Sequence, residues 1–358
     1  MSVQERSAIV DSRIEYKALV MVADGRMRLE PRQMAAVLPD HVVIDVTATG
    51  ICGSDVHGLS GTTGRRSVGQ VMGHETAGVI VNVGSEVDSE LLGQRVTINP
   101  VFSCGRCAAC IGGEEQQCAS GWVLGVRPDV DAAFAQRVMV PASSVVILPP
   151  EMPTWHGALV EPLAVGYHAA RRGGAGSTDR VLVIGGGPIG QAVVAACRRE
   201  GVEAIVVTEL DAGRSEIVRK LGVPAVLPED MGAAIDEYLS GAPTLVFDAV
   251  GNADTLRTAM KCSQSGARIV LVGMASPTQT LDSYDISVRE RAVIGTFCYS
   301  SEHFRSTVAW LAEHPDLPNL LVDRIASLDN GPEVFNALIA GTLHTNKVLL
   351  SPLADLER

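Results

Sequence analysis

Aromatic side chains are scarce in this 358-residue chain, at 4%: six Phe, five Tyr and three Trp. Stacked rings therefore cannot build its interior, and small aliphatic residues must. Hydrophobic residues make up 46% against 20% charged, which excludes a disordered chain and allows sizeable cores. Excess positive charge is also missing. The formal net charge is −12, and no Lys/Arg-rich run occurs anywhere. Nucleic acid and anionic membranes, both held by cationic patches, are excluded as partners. A long unbroken apolar run is absent too. The longest uncharged stretch, 181–197, is interrupted by Gly185-Gly186-Gly187-Pro188 and followed at once by two Arg and a Glu. That argues against a membrane helix. The first residues mix charges of both signs without an apolar centre, so a secretory leader is not expected and the protein reads as cytoplasmic.

Cysteine is present but unevenly spread. Eight residues are too few, in a chain this long, for a secreted disulfide scaffold. Four of them, Cys104, Cys107, Cys110 and Cys118, fall within fifteen residues. Four thiolates complete a tetrahedral Zn²⁺ and leave no open position, which is the mark of a structural site. Gly105, Gly112 and Gly113 let the backbone wrap the ion. An iron–sulfur cluster or two disulfides are the alternatives.

Patterning divides the chain. Up to about residue 165 it reads as β-rich, with strands expected at 17–22, 42–47, 75–83 and 95–98 between Gly, Asp and Pro turns. From residue 180 strands and helices alternate: strands at 181–184, 204–208, 225–227, 244–249 and 268–273, helices at 188–199 and 212–221. Repeated βαβ units mean a parallel sheet covered on both faces, so the class is α/β with a β-rich partner domain. At the first βα turn stands Gly185-Gly186-Gly187-Pro188-Ile189-Gly190, after an apolar strand and opening a helix, as a dinucleotide site requires. Gly185 permits the turn, Gly187 admits the pyrophosphate, and Gly190 lets the helix pack on the sheet. Pro188 and Ile189 begin the helix whose N-terminus faces the phosphates. Glu209, nineteen residues after Gly190, ends the second strand, where a carboxylate accepts from ribose hydroxyls and repels a 2′-phosphate. NAD is the cofactor expected. Arg214 at the ribose edge, with Val250 and Val272 at the ends of later strands, completes the expected cofactor set.

A third set is dispersed. Gly50-Ile51-Cys52-Gly53-Ser54-Asp55-Val56-His57 reads as a glycine-punctuated loop, with Ser54 a candidate cap for a helix beginning at Asp55. Gly73-His74-Glu75 precedes a strand, and Glu161-Pro162 lies ahead of the nucleotide domain. Singly these are a core thiol, a core imidazole and a surface acid. Together, in order with the cysteine lobe and the glycine motif, they resemble the medium-chain, zinc-dependent alcohol and polyol dehydrogenases over residues 17–350. The resemblance implies a GroES-like catalytic domain (1–165 and 301–358) carrying two Zn²⁺, and a Rossmann NAD-binding domain (166–300). It implies Cys52, His74 and Glu161 as ligands of a catalytic zinc, with Glu75 able to enter or leave the metal's shell. An acid at 161 points to the sorbitol/threonine/butanediol-like branch. Asp55 would orient His74, and Ser54 and His57 would carry the alcohol proton outward.

Two departures stand out. An aromatic-rich stretch of the sorbitol enzymes is replaced here by residues 58–66, Gly-Leu-Ser-Gly-Thr-Thr-Gly-Arg-Arg. Their Phe-Arg-Tyr is replaced by Phe297-Cys298-Tyr299. The expected activity is interconversion of a secondary alcohol, of polyol, sugar-like or cyclic type, with its ketone. The alternatives are an aminoalcohol (threonine-like) dehydrogenase or a non-catalytic nucleotide-binding relative. Pocket walls are expected at 58–68, 120–126 and 274–277. A homodimer or homotetramer is expected through a sheet edge at 268–273 and the segment 280–286.

Overall fold

The computed structural model describes residues 14–22, 25–61, 66–353 and 356. The segment 1–13, read above for a leader, and part of the expected 58–68 wall lie outside them.

Two large sheets organise the chain. The first is seven-stranded, ordered Arg324–Ser327, Val348–Ser351, His41–Gly50, Glu75–Val83, Arg95–Ile98, Val145–Ile147, with Arg137–Pro141 also paired to His41–Gly50. Its β-branched strands bury Val42, Val43, Ile44, Val96 and Ile98 completely, which suits Val and Ile on a pleated surface. The carboxyl-terminal strand Val348–Ser351 joins it antiparallel, Leu349 opposite Gly50. Residues nearly three hundred positions apart thus meet beside Cys52.

The second sheet is six-stranded and wholly parallel, ordered Ala225–Val226, Ala204–Thr208, Arg180–Ile184, Leu245–Asp248, Arg268–Leu271, Ala292–Gly295. Val181, Leu182 and Val183 are all fully buried, because helices cover both faces and no alternation is needed. Each such side chain contributes about 1.5–3 kcal/mol by leaving water. Arg180–Ile184 has its sequence successor on one side and Leu245–Asp248 on the other. Strand order reverses there, and a crevice opens at the carboxyl ends.

Helices Val160–Arg172 and Ser301–Ala312 pack against each other. His168 and His303 bring their Nδ1 atoms to 2.9 Å, one nitrogen donating to the other.

Several expectations need correction. Arg268–Leu271 is not an edge, since Ala292–Gly295 pairs outside it; that last strand is short and its burial irregular, so its pattern was weak. Residues 50–57 are not all loop: Gly53–Leu59 is a helix, capped by Cys52 and not by Ser54. The strand Arg26–Met34, paired along its length with Ile14–Val22, was not expected because RMRLEPRQM is polar on most positions. Helix Ser301–Ala312 opens with the Ser300 hydroxyl accepting from the His303 amide. Among the described residues no helix is long and apolar enough to cross a membrane.

Candidate active site

The cysteine lobe is a local construction. Cys107 caps the short helix Ala108–Ile111, which swings Cys110 back toward it. The Sγ atoms of Cys107 and Cys110 are 3.4 Å apart, and those of Cys104 and Cys110 3.9 Å. One ligand atom from each of the four lies within 4.8 Å of the others. All eight cysteines are free thiols, so the disulfide alternative does not hold. Gly105 and Gly113 take φ of 68° and 77°, a left-handed turn that glycine makes without strain. The amides of Arg106 and Cys107 draw the Cys104 thiol down to about 6, while at Cys107 the lowering pull of the Cys110 amide is outweighed by a hydrogen bond to the Cys110 sulfur and by burial, which push that thiol up to about 11. Four converging sulfurs fit a closed tetrahedral zinc. Glu115 ties the lobe to the body, its carboxylate accepting from the Ser301 amide at 3.1 Å.

The second cluster is assembled from distant segments. Cys52, His74 and Glu75 bring one ligand atom each within 4.8 Å of one another. Cys52 is placed by the start of helix Gly53–Leu59, where its sulfur accepts from the Ser54 amide at 3.5 Å. Asp55 reaches back, Oδ2 accepting from the Cys52 amide at 3.2 Å. Its Oδ1 lies 3.7 Å from His74 Nδ1. Burial opposes charge on the His74 ring, but Asp55, Cys52 and Glu161 outweigh it and push its pKa well above the usual value. Glu75 fits because residue 50 is glycine: a Cβ there would fall 2.0 Å from Glu75 Oε2. Lys347 Nζ donates to Glu75 Oε1 at 2.7 Å and to the Ile51 carbonyl at 3.2 Å.

Glu161 stands beside this group without belonging to the compact set. Tyr299 donates to its Oε1 at 3.0 Å, and burial pushes its carboxyl up to about 7 despite the neighbouring His74. Buried acids, a thiol and an imidazole, countered by few cations, form a donor set that suits zinc. Asp55 Oδ1 and His74 Nδ1, both buried and without a closer hydrogen-bond partner, face each other across 3.7 Å. Ser54 and His57 are exposed on one turn of helix Gly53–Leu59. Sequence reasoning missed Lys347 and the role of Tyr299. A lysine heading an apolar strand was the available signal, because a buried ammonium needs an anion.

Across the crevice the glycine motif has the expected form. Gly185 takes φ 96°. A Cβ on Gly190 would lie 1.8 Å from the Gly185 carbonyl oxygen, whereas one on Gly187 would meet only Arg214 Nη1 at 3.9 Å. Helix and strand touch at the first position, and the chain is open at the second. Pro188 begins helix Pro188–Arg199, where a proline's missing N–H costs nothing, and Ile189 follows in its first turn. Glu209 is more occupied than expected. Its oxygens accept from the Gly186, Leu210 and Asp211 amides at 2.8, 2.7 and 2.8 Å. Val250 approaches Gly185, whose Cβ would fall 2.7 Å from Val250 Cγ2, and the Val272 amide donates to the Asp248 carbonyl at 3.0 Å. A small cavity lined by Pro162, Pro188, Gln191 and Lys347 lies between the lysine of the metal cluster and the head of this helix.

Comparison with known proteins agrees with this arrangement. Residues 38–150 match the alcohol dehydrogenase GroES-like domain, and residues 188–313 the zinc-binding dehydrogenase domain. A sorbitol dehydrogenase of Arabidopsis thaliana is 33% identical over 80% of this chain and 82% of that protein. An alcohol dehydrogenase of E. coli CFT073, solved with NADH, superimposes with a TM-score of 0.86 at 27% identity, covering 94% of this chain and 99% of that one. A zinc-binding dehydrogenase of Sinorhizobium meliloti bound to NADP gives 0.85 at 27% identity, covering 95% and 100%. With both domain families matched in order and the metal cluster facing the glycine crevice, the chain belongs to the zinc-binding dehydrogenases of the alcohol and polyol dehydrogenase family.

Proposed function

We propose that the protein is an NAD(H)-dependent oxidoreductase that interconverts a secondary hydroxyl of a polyhydroxylated compound with the ketone, using a zinc held by Cys52, His74 and a carboxylate. The observation that carries this reading is the buried Cys52–His74–Glu75 cluster with Glu161 at its side. Bound zinc supplies Lewis acidity at the substrate hydroxyl, and bound NAD⁺ supplies the hydride acceptor. Cys52 and His74 bind the metal, and Glu161 or Glu75 supplies the carboxylate. Lys347 bridges Glu75 and the Ile51 carbonyl by donating to both, and Tyr299 orients Glu161. Ser54 and His57, one turn apart at the surface, pass the hydroxyl proton to water. Gly185, Gly187 and Gly190 seat the pyrophosphate, Arg214 and Glu209 the adenosine end. Glu209 favours NAD over NADP because its carboxylate, at the end of the second strand, would repel a 2′-phosphate.

The chain divides into a catalytic unit, 1–165 with 301–358, and a nucleotide unit, 166–300. The strands Arg324–Ser327 and Val348–Ser351, which join the first sheet, support the division. Free thiols throughout fit a reducing cytoplasm. A homodimer or homotetramer forms through the edge strand Ala292–Gly295, beside which Tyr284 and Val288 are 80% and 77% exposed. Purified protein tested with sorbitol, sugar acids, diols, cyclic alcohols and threonine, with NAD or NADP, decides the activity. Two zinc ions per chain and NAD reduction by a polyol are expected. One zinc and no turnover on any of them would overturn the reading. Light scattering that gives a monomer would overturn the assembly.

A further inference from the structure

Arg66 is an arginine out of place by ordinary rules. Its side chain is 4% exposed, in a segment rich in glycine and hydroxyl residues. Buried guanidinium groups are normally held by several acceptors, since five N–H donors leave water. Here Nε donates to the Met72 sulfur at 3.2 Å, a weak acceptor, and Nη2 lies 3.7 Å from Asp55 Oδ1. His74 Nδ1 lies 3.7 Å from that same oxygen. The other carboxylate oxygen is bonded to the Cys52 amide. Asp55, fully buried, therefore faces two ligand residues and one cation.

The passage for this arginine is built into the helix below. A Cβ on Gly58 would fall 2.6 Å from Arg66 Cγ. The bare position at 58 and the buried stem at 66 occupy one space, and a larger residue at 58 would displace the arginine. The same two residues fall in the stretch that departs from the sorbitol enzymes.

We infer that Arg66 is a positioning residue for the catalytic metal: it anchors the Asp55 carboxylate between the Cys52 amide and the His74 ring, and so sets how firmly the pocket holds zinc. The inference rests on the function proposed above. The physical reason is geometric and electrostatic. A carboxylate held at the far nitrogen of a ligating imidazole fixes the ring's orientation and raises its donor strength, and loss of such a partner costs about ten- to hundredfold in metal affinity. Asp55 has only one backbone bond of its own, so without Arg66 it is free to turn away from His74. A buried anion stripped of its cation also repels the Cys52 and Glu75 donors beside it.

The experiment is chelator competition on the full-length holoenzyme, with zinc release recorded for parent, Arg66→Met, Arg66→Lys and Gly58→Ala. In the parent two zinc ions are expected to leave at separable chelator strengths. In Arg66→Met one zinc should be lost at about ten- to hundredfold weaker chelation, while the four-cysteine zinc stays and reports that the fold is intact. Arg66→Lys, which keeps the charge on a stem that can still reach Asp55, should recover most of the loss. Gly58→Ala, which crowds the arginine without removing it, should weaken the same zinc by a smaller factor. Equal retention of both ions in parent and Arg66→Met would overturn the inference while leaving the function standing. A parent that never binds a second zinc would overturn both. Loss of the four-cysteine zinc together with the other in Arg66→Met would overturn it too if Arg66→Lys and Gly58→Ala kept both ions, because the arginine would then serve the fold.

Discussion

The two candidate metal clusters are built in opposite ways. Cys104, Cys107, Cys110 and Cys118 lie within fifteen residues, are mostly part-exposed, and converge through two glycine turns and one helical turn. Cys52, His74, Glu75 and Glu161 are spread over more than a hundred residues. Apart from Cys52 they are buried, and they depend on Lys347, Tyr299 and Asp55 for their geometry. The first cluster needs little but its own sequence; the second needs the finished fold. A local cluster couples metal binding to the stability of its lobe. A dispersed cluster couples it to chemistry, since an established fold does not require the ion.

The sharpest way to break this comparison is Cys52→Ser. Turnover should fall by roughly a thousandfold or more, because the Lewis acid supplies several kcal/mol to the reaction. Thermal unfolding should move little, and metal analysis should find one zinc. A variant that keeps appreciable activity would mean the cluster is not catalytic. Cys104→Ser is the converse. Its initial rate should stay near the parent's while the unfolding midpoint drops, by about 2–4 °C per kcal/mol for a chain approaching this size. An unchanged midpoint would show that the lobe folds without its metal.

How far the two clusters were legible follows from the same contrast. The cysteine lobe could be read from spacing alone, and the glycine motif from its place between strand and helix. Strands such as Glu75–Val83 and Ala204–Thr208 matched their expected limits because largely buried, β-branched runs announce themselves. Arg66 could not be read, and Lys347 showed only as a lysine heading an apolar strand, because their contacts with residues 55 and 75 are reached only by folding. Cys52 as a cap was hidden as well: a thiol is an uncommon N-cap, and Ser54 seemed the better candidate. The edge strand Ala292–Gly295 was missed because four residues of uneven exposure give no clear period.

Smaller effects sharpen the picture on the cofactor side. Glu209→Ala should narrow the preference for NAD over NADP by about one to two orders of magnitude, as several kcal/mol of like-charge repulsion is removed. It should also loosen the glycine loop, since the Gly186, Leu210 and Asp211 amides lose their acceptor. Ratios of kcat/KM for the two cofactors measure the first effect; an unchanged ratio would place selectivity elsewhere. His57→Gln should lower kcat for oxidation about tenfold or more near neutral pH and recover in alkaline buffer, within the range for proton-transfer groups. A pH–rate profile that overlays the parent's would remove His57 from the path.

The mildest expectation concerns acid. Burial holds His156 and His168 down to about 4, against about 6.5 in an unfolded chain. Between those values the unfolded state binds more protons, so the stability these rings contribute is present above about pH 6.5 and is lost as pH falls toward 4. His156→Gln should flatten the dependence of the unfolding midpoint over that interval. An unaltered slope would show that other groups govern acid sensitivity.

The ion pair between Lys347 and Glu75 also imposes an order in time. During synthesis the four cysteines emerge together, and their lobe has all its ligands once Cys118 is clear. The dispersed pocket has Cys52, His74, Glu75 and Glu161 once residue 161 has emerged, yet Glu75 lacks its counter-charge until Lys347 appears, about 190 residues later. At about 5–20 residues per second that is a delay of roughly 10–40 s. Through that interval the nascent chain carries an acid-rich, half-built pocket beside a finished zinc knot. Metal supply therefore meets this protein twice, first as a folding partner on the ribosome and later as a ligand for an essentially complete molecule.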